Sequence, residues 1–256
     1  MKRHQIRLVA PFLPLPVSNA HHAALGAFDW MDAIRMLSHS AQRSCGVPVQ
    51  VLTDLGADLP VACLRYPTVH RRLMLWVLEV CVQYLDSPDF DRDTVCLDCD
   101  QLVHRDLARW FSPQVDLGLL LRSKLQHEDT WKKVINGVQF WAVKAKARLV
   151  AFYREALATA ETLGEDLIRW GGDTQALRLL LEPMSIGLHR RHGVRVHLID
   201  AARVSQPLSQ AQIDGMAVGR APRPVAAVTD FRYQRKRFMR QFFDMAVCPQ
   251  GVVCVS

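Results

Sequence analysis

Short apolar runs alternate along this chain with stretches whose apolar residues recur every three or four positions. That alternation is the strongest constraint on the fold. Residues 5–12, 47–53 (running into Asp54), 94–97, 115–121, 137–143, 185–188, 194–199 and 225–229 read as strands. Helical spacing covers 19–43, starting near Ser18 or Asn19, and 68–85, with Thr68 as N-cap. It also covers a short stretch at 106–111, then 144–163, then 173–181 after the Gly171-Gly172 break, and a basic helix at 234–245. Residues 205–224, with their Pro and Gly, read as a loop. Strands alternating with helices predict an α/β fold, a mostly parallel central sheet flanked by helices. With 256 residues and no linker, one domain spanning 1–256 is expected, its basic segment 186–256 included.

Charge is placed unevenly. Lys plus Arg number 32 against 25 Asp plus Glu, a formal net charge of +7. Beyond residue 185 there are eleven basic residues and only four acidic ones, so that segment carries the whole excess. An evenly basic surface is ruled out, and an anionic partner should meet the last third of the chain. The seven cysteines read as reduced thiols of a cytosolic protein. The opening MKRHQIRLVAPFLPLP has too short and proline-broken an apolar run for a signal peptide, and 73–82 is too short to span a bilayer. A cytoplasmic protein, with peripheral membrane attachment left open, is the expectation.

The stretch 94–107, TVCLDCDQLVHRDL, carries the most chemistry. An apolar strand delivers Asp98 and Asp100, two residues apart. At the carboxyl end of a strand in an open α/β sheet, side chains enter the ligand crevice. If the strand continues, both carboxylates share one face. They would repel each other unless a cation neutralised them, and hard divalent ions take carboxylate oxygens together with substrate phosphates. The same pair could instead cap the next helix.

This stretch resembles the Asp-x-Asp segment of the GT-A glycosyltransferases, above all the retaining glycogenin, galactinol-synthase and lipopolysaccharide-galactosyltransferase type. Further landmarks follow in order: VQVLTD at 49–54, PTVHRRLML at 67–75, INGVQFW at 135–141, GDTQAL at 172–177, GVRVHLI at 193–199 and VTDFRYQRKR at 228–237. The pattern is that of a divergent member. Asp230 stands where the family places a metal-binding His, and no Trp follows the Arg-Lys-Arg run.

The resemblance implies a single Rossmann-like GT-A domain. It implies a nucleotide-diphosphate sugar, a UDP-sugar by preference, as donor and Mn²⁺ or Mg²⁺ as cofactor. Asp98, Asp100 and Asp230 would hold the metal, with Asp98 also reaching the ribose. Arg232, Arg235, Lys236 and Arg237 would grip the diphosphate. Asp54, Arg71 or Arg72, and Asn136 would touch the donor. Asp173 and Gln175 would face the sugar, although Asp173 at a helix start is equally an N-cap. The resemblance leaves the acceptor open; the basic C-terminal third makes an anionic one a candidate, either nucleic acid or a lipopolysaccharide or lipid-linked glycan. The competing class is a nucleic-acid-binding protein using the basic C-terminal third, for which no recognised motif speaks.

Several other chemistries are disfavoured. Cys96-x-x-Cys99 is half a zinc knuckle without a matching second pair. No phosphate-binding P-loop, dinucleotide glycine motif or nucleophile elbow is present.

Overall fold

The computed structural model describes residues 5–14, 28–122, 134–165, 168, 171–182 and 185–248. The expected helix start at Ser18 or Asn19 lies outside these residues, as do Cys254 and several tryptophans and histidines of the sequence reading. The chain sorts into two compact units, one made of Met1–Leu13, Gln50–Asp98 and Ala108–Ala201, the other of Pro14–Val49, Cys99–Leu107 and Ala202–Ser256.

The first unit is built on an eight-stranded sheet. Its strands are β1 (Arg7–Pro11), β2 (Val49–Asp54), β3 (Cys63–Tyr66), β4 (Thr94–Leu97), β6 (Leu117–Leu121), β7 (Val134–Trp141), β8 (Gly187–Arg191) and β9 (Val194–Asp200). They lie in the order β3-β2-β1-β4-β7-β6-β9-β8. β1 runs parallel to β4, β2 to β3 and β6 to β9, whereas β7 is antiparallel to both β4 and β6, and β8 is antiparallel to β9. The sheet is therefore mixed, with the expected parallel core interrupted by β7. β4 and β6 are buried at every position, as fits strands covered on both faces. Gly118 sits against the Phe140 ring on β7, where an added Cβ would come within 3.1 Å of it.

Three helices accompany this sheet: α2 (Leu73–Asp86), α3 (Lys146–Glu161) and α4 (Gly172–Leu181). α2 packs on α3, and α3 on α4. α2 begins five residues later than Thr68 suggests. The Thr68 hydroxyl instead accepts from Trp76 Nε1 at 3.1 Å. Glu79, a buried charge in a largely apolar helix, turns back and accepts from the backbone N–H of Val69 at 2.9 Å and of His70 at 3.0 Å. Those donors are thus used by a buried carboxylate, and the segment before α2 stays extended. β3 was not anticipated. β8 and β9 form a hairpin whose two turn residues, His192 (φ 46°) and Gly193 (φ 76°), occupy the left-handed region that two-residue hairpin turns require.

The second unit holds a three-stranded sheet, β10 (Ser205–Pro207), β11 (Val228–Asp230) and β5 (Gln101–Val103), in that order. Helix α1 (Trp30–Cys45) packs on β5. It starts at Trp30 because Asp29, in extended conformation, caps it by accepting from Asp32 N at 2.9 Å. The predicted loop 205–224 instead contains β10 and helix α5 (Gln210–Ala217), whose Ser209–Gln212 capping box satisfies two end donors. The predicted basic helix 234–245 is wound in three pitches: a 3₁₀ segment Tyr233–Phe238, an α-turn Met239–Phe242 and a π segment Phe243–Val247. Met239, Phe242, Phe243 and Val247 anchor it in a core with Met36, Leu102, Leu208, Met216 and Phe231.

Five cysteines, Cys45, Cys63, Cys81, Cys96 and Cys99, carry free thiols. Cys248 is disulfide-bonded, which corrects the reading of every cysteine as reduced. No described helix is long and apolar enough to cross a membrane.

His104 gives the second unit a pH dependence. Its ring bonds the Thr229 hydroxyl at 2.9 Å and lies 5.7 Å from the Phe242 ring. Burial, helped by neighbouring Arg105, pushes its pKa down from 6.5 to about 4. Between these values the unfolded chain binds the proton and the folded one does not, so stability is intact above pH 6.5 and falls as the pH drops toward 4. We expect the chemical-denaturation midpoint to fall over that window, and to fall less in His104→Gln.

Candidate active site

The segment Asp98-Cys99-Asp100 carries the chain from the first unit into the second. Asp98 directly follows β4. Its side chain is exposed and its backbone N–H donates to Gly137 O on β7 at 3.0 Å. Asp100 directly precedes β5 and is buried.

In the second unit the β5–β11 ladder decides what surrounds Asp100. Gln101 pairs with Asp230, and Phe231 N donates to Asp100 O at 3.0 Å. Two acidic residues 130 positions apart thus stand at neighbouring ladder positions. Both are buried. Each meets a cation of the following 3₁₀ segment: Lys236 Nζ donates to Asp100 Oδ2, and Arg232 Nε to Asp230 Oδ2. The Lys236 ammonium also lies 4.4 Å from the Trp30 ring centroid and 5.7 Å from that of Phe28. Of the predicted residues, Asp100 with Lys236 and Asp230 with Arg232 therefore form two ion pairs at neighbouring ladder positions. Arg235 and Arg237 do not join them: Arg237 lies over the Phe238 ring at 4.8 Å and is exposed. Asp230 is the last residue of β11 and is held by Arg232.

The first unit gathers a second set. Asn136 lies within β7 and donates through Nδ2 to Asp173 Oδ2. Asp173 sits in the first turn of α4. Its other oxygen accepts from Thr174 N at 2.7 Å, while Gly171 occupies the N-cap position. Burial, opposed by the Asn136 and Thr174 hydrogen bonds, leaves its pKa above the usual carboxylate range. Behind Asn136 lies a polar chain absent from the sequence reading. Gln139 Nε2 donates to Asn136 O at 3.1 Å and to Asn136 Oδ1. Gln139 Oε1 accepts from the Tyr153 hydroxyl and from Trp141 Nε1, the latter at 3.3 Å. A glutamine in an apolar strand pattern was the signal available for it. Gln175 turns away from Asp173, its Oε1 accepting from Arg178 Nε at 3.0 Å.

Asp54 and Arg71 come together at 3.7 Å, with the Arg71 side chain 70% exposed. Arg72 pairs instead with Glu165. Of the two arginines, Arg71 is therefore the one placed beside another predicted donor contact.

No family model matches the sequence, and no curated protein matches it. Solved structures do. A glycosyltransferase involved in glycosylation of the major capsid of PBCV-1 superposes with a TM-score of 0.55 at 10% identity, over 92% of this chain and 98% of that one. The galactosyltransferase LgtC, solved with donor and acceptor sugar analogues, gives 0.51 at 12% identity, over 95% of this chain and 98% of that one. The glycosyltransferase GlyE of Streptococcus pneumoniae gives 0.55 at 12% identity, over 94% of this chain and 60% of the longer neighbour.

The chain has the GT-A fold. Asp98, Asn136 and Asp173 lie in one unit, and Asp100, Asp230, Arg232 and Lys236 in the other.

The buried Asp173 yields a prediction. Since its ionised form is disfavoured in the folded state, folding stability should decline as the pH rises through its raised pKa. We expect Asp173→Asn to remove that decline and to match or exceed the wild-type melting temperature at pH 8. Gln139→Leu should instead cost about 1–3 kcal/mol, because the Trp141 and Tyr153 donors lose a partner inside the core. Melting curves of the two variants across pH check both statements.

Proposed function

We propose that the protein is a glycosyltransferase that moves a sugar from a nucleotide-diphosphate sugar, a UDP-sugar by preference, to an acceptor hydroxyl. The observation that carries this reading is the juxtaposition of Asp100 and Asp230 with Lys236 and Arg232, on a GT-A fold. The leaving group of such a reaction is a diphosphate, so the site must handle oxyanions and their counter-ions together.

Among the described residues no three His, Cys, Asp or Glu side chains gather as a metal cage. Mg²⁺ and Mn²⁺ in nucleotide enzymes commonly take only one or two carboxylates and fill their remaining positions with phosphate oxygens and water. The Asp100–Asp230 pair fits that pattern, with Asp98 as a further candidate. A bound divalent ion would supply Lewis-acid neutralisation of the leaving phosphate.

In this reading the chain's own cations work on the same charge. Lys236 and Arg232, held on carboxylates in the free protein, transfer their donors to diphosphate oxygens when the donor binds. Lys236 acts as a point charge and Arg232 as a fork. Arg235 and Arg237 lie on the same 3₁₀ segment and add to the positive field. Such contacts accelerate the reaction to the extent that they strengthen as the leaving group forms. Asn136 fixes Asp173, and Asp173 faces the sugar. Arg71 and Asp54 contact the nucleotide. We take the acceptor to be anionic, nucleic acid or a lipid-linked glycan, and the location to be cytoplasmic. The plain nucleic-acid-binding reading is less well supported. Arg195, Arg232, Lys236 and Arg240, four of the C-terminal cations, are already paired with Asp116, Asp230, Asp100 and Asp32.

Calorimetric titration with UDP-glucose and UDP-galactose, with and without MnCl₂, together with a donor-hydrolysis assay, tests this proposal. Asp100→Asn should abolish the metal-dependent part of binding. Lys236→Met should lower turnover on the order of 100-fold. Full activity and unchanged metal-dependent binding in Asp100→Asn would sink the assignment.

A further inference from the structure

At the start of β6, at the other end of the large sheet from Asp98, lies a cluster that the proposed reaction does not use. Asp116 directly precedes β6 and its side chain is 1% exposed. It accepts four hydrogen bonds. Arg195 donates from Nε at 3.1 Å, from Nη2 at 2.7 Å and from its backbone N at 3.1 Å, and Arg148 donates from Nη2 at 3.1 Å. The carboxylate is saturated, yet Arg148 and Arg195 remain 45% and 38% exposed, with guanidinium N–H groups left over. Arg190 makes the arrangement odd. It stands directly opposite Arg195 on the β8–β9 ladder, is exposed, and has no acidic partner among the described residues. Like charges directly opposite on an antiparallel pair destabilise it.

These groups converge. Asp116, Arg148, Arg190, Gly193 and Arg195 line a cavity of about 380 Å³. Three guanidiniums face one carboxylate there, a local surplus of two positive charges drawn from β8, β9 and α3. Gly193 leaves its side of the cavity open, with no atom within 4 Å of where a Cβ would stand. Among the described residues, Asp116 is the one carboxylate lining the cavity, and it leaves the surplus unbalanced. β7 measures the separation from the candidate active site. Asp116 O accepts from Ala142 N just past one end of the strand, whereas Asp98 N bonds Gly137 O at its middle. Five residues of extended chain make that roughly 16 Å.

We propose that Arg148, Arg190 and Arg195 form a second binding site, for a phosphoryl group, at the opposite end of the sheet from Asp98. Guanidinium forks match the paired oxygens of phosphate. Asp116 serves as the counter-ion that holds Arg148 and Arg195 in place, and a bound phosphoryl group supplies the charge that lets Arg190 and Arg195 lie side by side. The inference does not depend on sugar transfer. The ligand chemistry is the same for a soluble phosphate monoester and for the headgroup of an anionic lipid.

The experiment uses the full chain at low ionic strength. Inorganic phosphate and glycerol phosphate are titrated into wild type, Arg190→Gln and Arg190→Lys with saturating UDP present to occupy the donor site, read by calorimetry and by melting temperature. Vesicles of phosphatidylcholine with and without phosphatidylglycerol form a parallel sedimentation arm. Saturable phosphate binding is expected in wild type, weakened at least about tenfold in Arg190→Gln and less in Arg190→Lys. Without ligand, Arg190→Gln should melt at the same temperature as wild type or higher, because it relieves the Arg190–Arg195 repulsion. Selective sedimentation with phosphatidylglycerol vesicles would identify the headgroup as the source, and binding of soluble phosphates alone would identify a metabolite. Undiminished phosphate binding in Arg190→Gln, no saturable binding in wild type, or a lower ligand-free melting temperature in Arg190→Gln would each overturn the proposal.

Discussion

Taking a carboxylate out of water costs several kcal/mol unless hydrogen bonds and counter-charge replace the lost hydration. Five acidic residues are buried among those described: Glu79, Asp100, Asp116, Asp173 and Asp230. Each is compensated differently, and each solution fixes a different part of the molecule. Glu79 uses backbone N–H groups and so holds the extended segment bearing Arg71 and Arg72. Asp100 and Asp230 use Lys236 and Arg232, which ties the irregular basic segment to the small sheet. Asp116 uses two arginines from α3 and β9. Asp173 uses the Asn136 amide and Thr174, with no cation among its bonded partners, and burial keeps its pKa above the usual carboxylate range.

Much of this architecture was legible in the sequence, for local reasons. β4 was read to the residue because an apolar run stops abruptly at Asp98. α4 and β9 were read within a residue or two, since turn signals bound them on both sides. Failures arose where a tertiary contact overrode a local signal. Thr68 after Pro67 resembles a helix start, but its hydroxyl is taken by Trp76 Nε1 and Glu79 holds the Val69 and His70 N–H groups of the segment ahead of α2. α5 was lost among proline and glycine although Ser209-x-x-Gln212 spells a capping box. The 234–245 segment has good helical spacing, and only its three-dimensional partners reveal a change of pitch.

The candidate site was legible as a set of residues and illegible as a set of pairs. The family resemblance singled out Asp100, Asp230 and the basic run, yet it assigned all of those cations to the substrate. That Lys236 and Arg232 are already engaged depends on the register of β5 against β11, which no local pattern encodes. The chain from Asp173 through Asn136 to Gln139, Trp141 and Tyr153 links residues on α4, β7 and α3. Its one hint, Gln139 in an apolar run, reads equally as a solvent-facing strand position. The Asp116 cluster joins positions 116, 148, 190 and 195, too dispersed to register as a motif.

The large sheet ends in two edges, β3 and β8. An edge strand offers unpaired backbone donors and acceptors to any passing strand, and natural proteins guard such edges with charge. β8 is five residues long, and its exposed Leu188 would favour strand addition. Arg190 and Arg191 oppose it, since a second copy pairing there would bring two such arginine pairs together. An anion seated on Arg190 would weaken this guard. Filling the cavity beneath the hairpin would then do more than occupy a site, because it would bring the molecule nearer to self-association through that edge.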